Sequence, residues 1–196
     1  MFFFDVSCPL SYLTAERIER KLGEVEWVPV DGASLRRSGA GHEAHHAGEM
    51  HMLRSRADSC ARALRLPLVW PDRFPRAARC AQRAAAFACE IGAGAAFALA
   101  ATRLAFCGGF DLEDPETLAE AAAAAGVPLE ECLSAAGETW RDEELEANAD
   151  VLRSRGISAL PAIRIGDQWF EGEAGLLAAG ALIDEQGTVR RLMAPM

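Results

Sequence analysis

Residues 2–12 change periodicity midway, from that of a buried strand to that of a helix. Phe2-Phe3-Phe4-Asp5-Val6 begins with an apolar run of strand length, which stops at Ser7-Cys8. Pro9 then opens a segment in which Leu13, Ala15, Ile18 and Leu22 recur at helical spacing. A proline suits the first helical position because its missing amide hydrogen has no partner there. The switch puts Cys8 at a helix N-terminus, where unpaired amides and the positive end of the helix dipole favour an anion. A thiol so placed ionises more readily, from about 8.5 for free cysteine down to about 3.5–7.5. Cys8 is thus the candidate nucleophile. The competing reading is a small apolar residue buried beneath the helix start, since free cysteine is among the most buried residue types.

Further along, Glu24 to Val30 alternates polar and apolar and reads as a second strand, so strand, helix, strand makes a parallel crossover ended by Asp31-Gly32. Residues 32–48 are rich in Gly, Ser, Ala and His and read as a loop. A helix is predicted over 50–66, followed by an extended connector punctuated by Pro67, Pro71 and Pro75. Residues 76–107 are dominated by alanine, with Gly92 and Gly94 marking a break between two helices. Asp114-Pro115 reads as an N-cap with proline at the first helical position, and Gly126 closes that helix. Further helices are predicted over 128–136 and 139–155, the latter ended by Gly156. Ile157 to Ile165 is strand-like, Gly166-Asp167 turns, Gln168-Trp169-Phe170 returns, and a helix over 173–183 follows.

A formal charge of −9 argues against nucleic acid or an anionic membrane surface as the main partner. No apolar run approaches the roughly 20 residues that cross a bilayer, because Arg79, Arg83, Glu90 and Arg103 interrupt the alanine stretches. The N-terminus lacks a basic region and a cleavage site, so the expectation is a cytoplasmic protein. The six cysteines are widely scattered and contain no CxxC pair, which reads as reduced thiols rather than a disulfide framework, zinc ribbon or dithiol centre. All four histidines fall between His42 and His51; His42 and His46 share a helical face, but without a supporting motif no metal site is assigned.

The two ends of the chain each supply strands and a helix, which combine into one small mixed sheet with everything between them a helical insertion. Leu160-Pro161 enters a strand at a position that proline tolerates at a start or an edge. Such a position suits a cis peptide or an ordinary trans proline before an edge strand.

The run Phe4-Asp5-Val6-Ser7-Cys8-Pro9-Leu10-Ser11-Tyr12-Leu13 resembles the active-site start of the DsbA superfamily of thioredoxin-fold proteins. Within it, the 2-hydroxychromene-2-carboxylate isomerases and kappa-class glutathione transferases are most similar, carrying a Ser-Pro-aromatic-Ser run after their first strand. Leu66-Pro67-Leu68, Arg73-Phe74-Pro75, Gln82-Arg83, Phe110 to Asp114 and Gly156 to Pro161 extend the likeness over nearly the whole chain. The resemblance implies an α/β, thioredoxin-like fold with an inserted all-helical domain. Residues 1–35 and 156–196 would form the thioredoxin-like part and 36–155 the insertion.

It also implies roles. Cys8 stands where the isomerases have the serine that meets the glutathione sulfur, and where oxidoreductases have the attacking cysteine. Ser11 stands where dithiol members resolve the mixed disulfide, and Leu160-Pro161 matches the proline loop whose backbone pairs with glutathione. Pro9 belongs to the same binding surface. Ala174 occupies the place of an acid for the glutathione amino group, with Glu173 the neighbouring candidate. Implied, then, is a glutathione-dependent isomerase or transferase acting on a small electrophilic, aromatic substrate. A monothiol disulfide oxidoreductase and a non-catalytic binding protein are the alternatives, and a homodimer stays open. Arg36, Arg37 and Arg76 are candidates for meeting a carboxylate.

Overall fold

Strands from the two ends of the chain lie side by side. The computed structural model describes residues 1–36, 42–74 and 78–193. Strand β1 (Phe2–Phe4), helix α1 (Pro9–Leu22) and strand β2 (Trp27–Pro29) form the parallel crossover, with Phe3 opposite Val28. At the other end, β3 (Ala162–Ile165) pairs antiparallel with β1 and with β4 (Gln168–Glu171), giving the sheet order β2-β1-β3-β4.

β1 lies inside the sheet and both of its faces are covered, so its three phenylalanines are all buried. Phe2 and Phe4 point to one side and meet Trp27 edge-on, at 4.8 and 5.5 Å between ring centres. Phe3 points to the other side, where Val30, Leu35, Leu152 and Leu160 pack and Trp169 lies 5.4 Å away.

Between the strands run α2 (Gly32–Arg36), α3 (His42–Leu64), α4 (Arg79–Glu90), α5 (Gly94–Phe106), α6 (Pro115–Ala125), α7 (Leu129–Gly137) and α8 (Arg141–Ser154). After β4 comes α9 (Gly172–Met193). Alanines carry the contacts between α4, α5 and α6; Ala84, Ala88, Ala98, Ala101 and Ala121 are fully buried. Small side chains let helix axes approach closely. One continuous apolar core joins these helices to the Phe2–Phe4 face of the sheet. Arg83 of α4 is bound through two nitrogens to Asp142 of α8, at 2.8 and 2.7 Å, and donates to the Ala136 carbonyl of α7.

Five sequence expectations are corrected. Residues 32–36 are helical rather than looped: Asp31 accepts from the Ala33 amide at 2.9 Å and from the Ser34 hydroxyl at 2.7 Å, and so caps α2. Helix α3 begins at His42, well before residue 50. The strand expected over 157–165 is confined to 162–165, because the amides of Ser158 and Ala159 donate to the Glu171 carboxylate and not to a sheet partner. The second strand is likewise shorter, and α9 longer, than expected. The capped helix at Asp114-Pro115 forms as read, with Asp114 accepting from the Glu116 amide and Gly126 closing it in the left-handed conformation.

Candidate active site

Where the chain leaves β1, side-chain acceptors tie its backbone in place. Asp5 takes the Ser7 amide and the Ser7 hydroxyl on one oxygen, each at 2.7 Å, and the Gly32 amide on the other at 3.0 Å. Gln82 of α4 is fully used: its amide nitrogen donates to the carbonyls of Phe4 and Val30, and its oxygen accepts from the Val6 amide at 3.0 Å. Gly32 is required by proximity, since a Cβ there would stand 2.6 Å from an Asp5 carboxylate oxygen. These ties deliver Cys8 to the N-cap of α1, in extended conformation, with Pro9 as first helical residue and the Tyr12 amide donating to the Cys8 carbonyl. Ser11 is buried on the first turn, and its hydroxyl accepts from the Asp5 amide at 3.3 Å.

The opposite wall comes from the far end of the chain. The Leu160-Pro161 peptide is cis, and the Leu160 carbonyl oxygen lies 3.7 Å from the Cys8 sulfur. The Gly172 amide donates to the Pro161 carbonyl at 2.7 Å. One oxygen of Glu171 accepts from the Ser158 amide, the Ser158 hydroxyl and the Ala159 amide. The structure therefore brings Cys8, Pro9, Ser11, Leu160 and Pro161 together.

Glu173 is placed elsewhere. Its carboxylate pairs with Arg17 on α1, nine residues beyond Cys8 and thus about 13 Å along the helix axis. It also lies against the Cys60 thiol, which burial first and Glu173 second push up to about 11. Arg36 is exposed and its charge acts on Asp5, whereas Arg37 and Arg76 lie outside the described residues. His51 is exposed, and the side chains of His42, His45 and His46 lie outside the described residues. Among the described residues no group of three or more His, Cys, Asp or Glu is gathered for a metal.

The acidity of Cys8 runs opposite to the sequence expectation. Cys8 sits deep in the molecule while keeping part of its surface accessible, and burial raises the thiol above its ordinary value. The Asp5 carboxyl raises it further. The Ser11 amide and hydroxyl and the Leu10 amide pull the other way without prevailing. Desolvation of the anion outweighs the helix terminus. Asp5 is itself held above the usual carboxylate range by burial, against the pull of Ser7, Arg36 and the Gly32 amide.

Beside Ser7 opens a cavity of about 600 Å³ walled by Phe74, Phe106, Phe110 and Leu112, with Asp111 and Glu113 among its polar groups. Tyr12 stacks on Phe106 and donates to the Pro67 carbonyl at 3.0 Å, fastening α1 to the connector after α3. The other five cysteines lie in or at the end of helices; Cys132 is fully buried and the rest are half-buried. The sequence reading missed the parts of Asp5, Gly32, Gln82 and Glu171. Only Gln82 carries a local signal, as an uncharged polar residue amid the buried alanines of α4.

No curated protein sequence matches this chain. The solved structure of 2-hydroxychromene-2-carboxylate isomerase superposes with a TM-score of 0.83 at 15% identity, over 99% of this chain and 98% of that one. The "probable DsbA oxidoreductase" of Streptomyces coelicolor gives a TM-score of 0.70 at 18% identity, over 100% of this chain and 91% of that one. At such identities the likeness establishes the fold alone. Superposition over nearly the whole length of this chain accords with the thioredoxin-like fold that the N-terminal run implied. The DSBA-like thioredoxin domain matches residues 1–179, and this chain belongs to that family.

Proposed function

We propose that this protein is a thiol-dependent enzyme of the isomerase or transferase type, using glutathione and a small aromatic electrophile. The observation that carries the reading is the Cys8 thiol, held with its proton on by burial at the start of α1. Without a ligand its single S–H faces the Leu160 carbonyl; with a peptide thiol bound, that carbonyl would take a backbone amide of the ligand and the S–H would turn to the neighbouring sulfur anion, the part a hydroxyl would take. Disulfide exchange asks instead for a thiolate and a resolving partner, and Ser11 supplies no second sulfur.

The residues present fit a peptide thiol. Leu160 faces Cys8 with its carbonyl, and its amide has no hydrogen-bond partner among the described residues, so this backbone edge is free to pair with another. Glutathione, when bound, supplies a nucleophilic sulfur that adds to a conjugated double bond and leaves again, with no net redox change. Leu160 and Pro161 would hold its backbone, while Cys8, the Leu10 and Ser11 amides and the Ser11 hydroxyl would steady negative charge on its sulfur. The aromatic walls at Phe74, Phe106 and Phe110 would receive the electrophile beside Ser7. Six unpaired cysteines accord with a reducing, cytoplasmic setting.

Calorimetry with reduced glutathione tests this directly. Saturable binding to the wild type and to Cys8→Ser, with weaker binding to a variant carrying an added side chain at Gly32, is expected. Absence of binding to both of the first two proteins overturns the reading.

A further inference from the structure

Glu171 stands outside the set of residues the sequence pointed to. It is the last residue of β4 and is solvent-exposed, yet one of its oxygens gathers three donors: the Ser158 amide at 2.9 Å, the Ser158 hydroxyl at 3.0 Å and the Ala159 amide at 2.5 Å. The next amide along the chain, Gly172, donates to the Pro161 carbonyl at 2.7 Å. The last residue of β4 and the first of α9 thus tie down both sides of Leu160. At its far end the loop is anchored by the Ile157 amide on the Leu152 carbonyl at 3.0 Å. The Leu160 side chain is buried, where it would meet a Cβ at Gly32 at 3.3 Å. Between these ties stands the Leu160 carbonyl, 3.7 Å from the Cys8 sulfur.

We propose that Glu171 is a positioning residue for Cys8, acting through the Leu160 carbonyl that its three hydrogen bonds hold against the sulfur. The proposal rests on Cys8 being the working thiol. A carbonyl oxygen facing S–H stabilises the protonated form, and its negative end opposes the thiolate. Releasing the loop therefore makes Cys8 ionise at lower pH, and at the same time disorders the backbone edge offered to a peptide thiol.

The experiment is the rate of Cys8 alkylation by iodoacetamide across pH, read at the Cys8 peptide by mass spectrometry in the full chain. Glu171→Ala should react about threefold faster near neutral pH, the loss of one modest hydrogen bond, with its alkaline plateau within about twofold of wild type. Glu171→Gln, which keeps an acceptor oxygen, should fall between them, and Ser158→Ala should shift the profile slightly in the same direction. Thermal melts establish that these milder variants fold if Glu171→Ala does not. An unshifted profile in all three overturns the proposal. So does a uniform rise at every pH, which would signal mere exposure of the thiol. Glutathione calorimetry on the same proteins keeps the two readings apart: a shifted alkylation profile without glutathione binding in any of them upholds the role of Glu171 and sinks the proposed co-substrate.

Discussion

The sulfur of Cys8 and the carbonyl oxygen of Leu160, 152 residues apart in the chain, stand 3.7 Å from each other across the end of the sheet. They meet because β1 and β3 are neighbours, so the loop leaving one strand faces the loop entering the other. On the Cys8 side the loop is tied by Asp5 and Gln82, and on the Leu160 side by Glu171 and Gly172. The sulfur therefore sits between two loops that are each fixed from elsewhere in the molecule.

Ser11 moves the Cys8 thiol in the opposite sense to Leu160. Its hydroxyl and amide both favour the thiolate, so Ser11→Ala should push the already raised thiol further up. Alkylation of Cys8 near neutral pH should slow by about threefold, the effect of one modest hydrogen bond. A pH profile displaced to the alkaline side would bear this out, whereas an unmoved or acid-shifted profile would contradict it.

Gln82 is buried with every polar atom satisfied by the backbone of β1, the loop after it, or Val30. Gln82→Leu keeps the bulk but strands the Val6 amide and the Val30 carbonyl, while the Phe4 carbonyl keeps the Val30 amide at 2.8 Å. Each stranded buried group costs about 1–3 kcal/mol, so urea unfolding should show a loss of roughly 2 kcal/mol or more. A loss under about 1 kcal/mol would mean that the backbone finds other partners.

Gly32→Ala brings a methyl group to 2.6 Å from Asp5 and 3.3 Å from Leu160, both parts of the Cys8 surroundings. Relief requires Asp5 to shift, loosening its bonds to Ser7 and to residue 32 itself. Overpacking of this kind costs about 1–3 kcal/mol. Thermal melting should fall, and the Cys8 alkylation profile should move with it; an unchanged melt would show that the site gives way freely.

Cys89 predicts the alkaline behaviour. Burial first, and then Glu144, Glu90 and Glu26, push its thiol up to about 12, against an ordinary value of 9.0. In the folded chain the proton is held more tightly than in the unfolded chain. The contribution is therefore fully present below about pH 9 and is lost as pH rises toward 12, at up to about 1.4 kcal/mol per pH unit. Cys60 and Cys132, each pushed to about 11, act in the same direction. Urea midpoints measured between about pH 8 and pH 11 should fall with rising pH, and less steeply in Cys89→Ala; equal slopes would remove Cys89 as a cause.

Much of this fold was written in short stretches of chain. Pro9 after an apolar run announces the strand-to-helix switch, and with it the place of Cys8, because the missing amide hydrogen and fixed backbone angle act on that residue alone. Asp114-Pro115 and Gly126 bound α6 for equally local reasons, as does the Gly166 turn between β3 and β4. The strand read over 157–165 failed at its first half because the amides of Ser158 and Ala159 are claimed by a carboxylate 13 and 12 residues further on.

The sequence by itself determined that a cysteine would cap the first helix and that a proline would enter a strand near the other end. Tertiary structure alone decided that the two face each other, that Glu173 is occupied by Arg17, and that the Cys8 thiol is raised rather than lowered. A helix terminus acts within its own first turn, so sequence reveals it; desolvation depends on everything packed around a group, and that is known only once distant segments have come together.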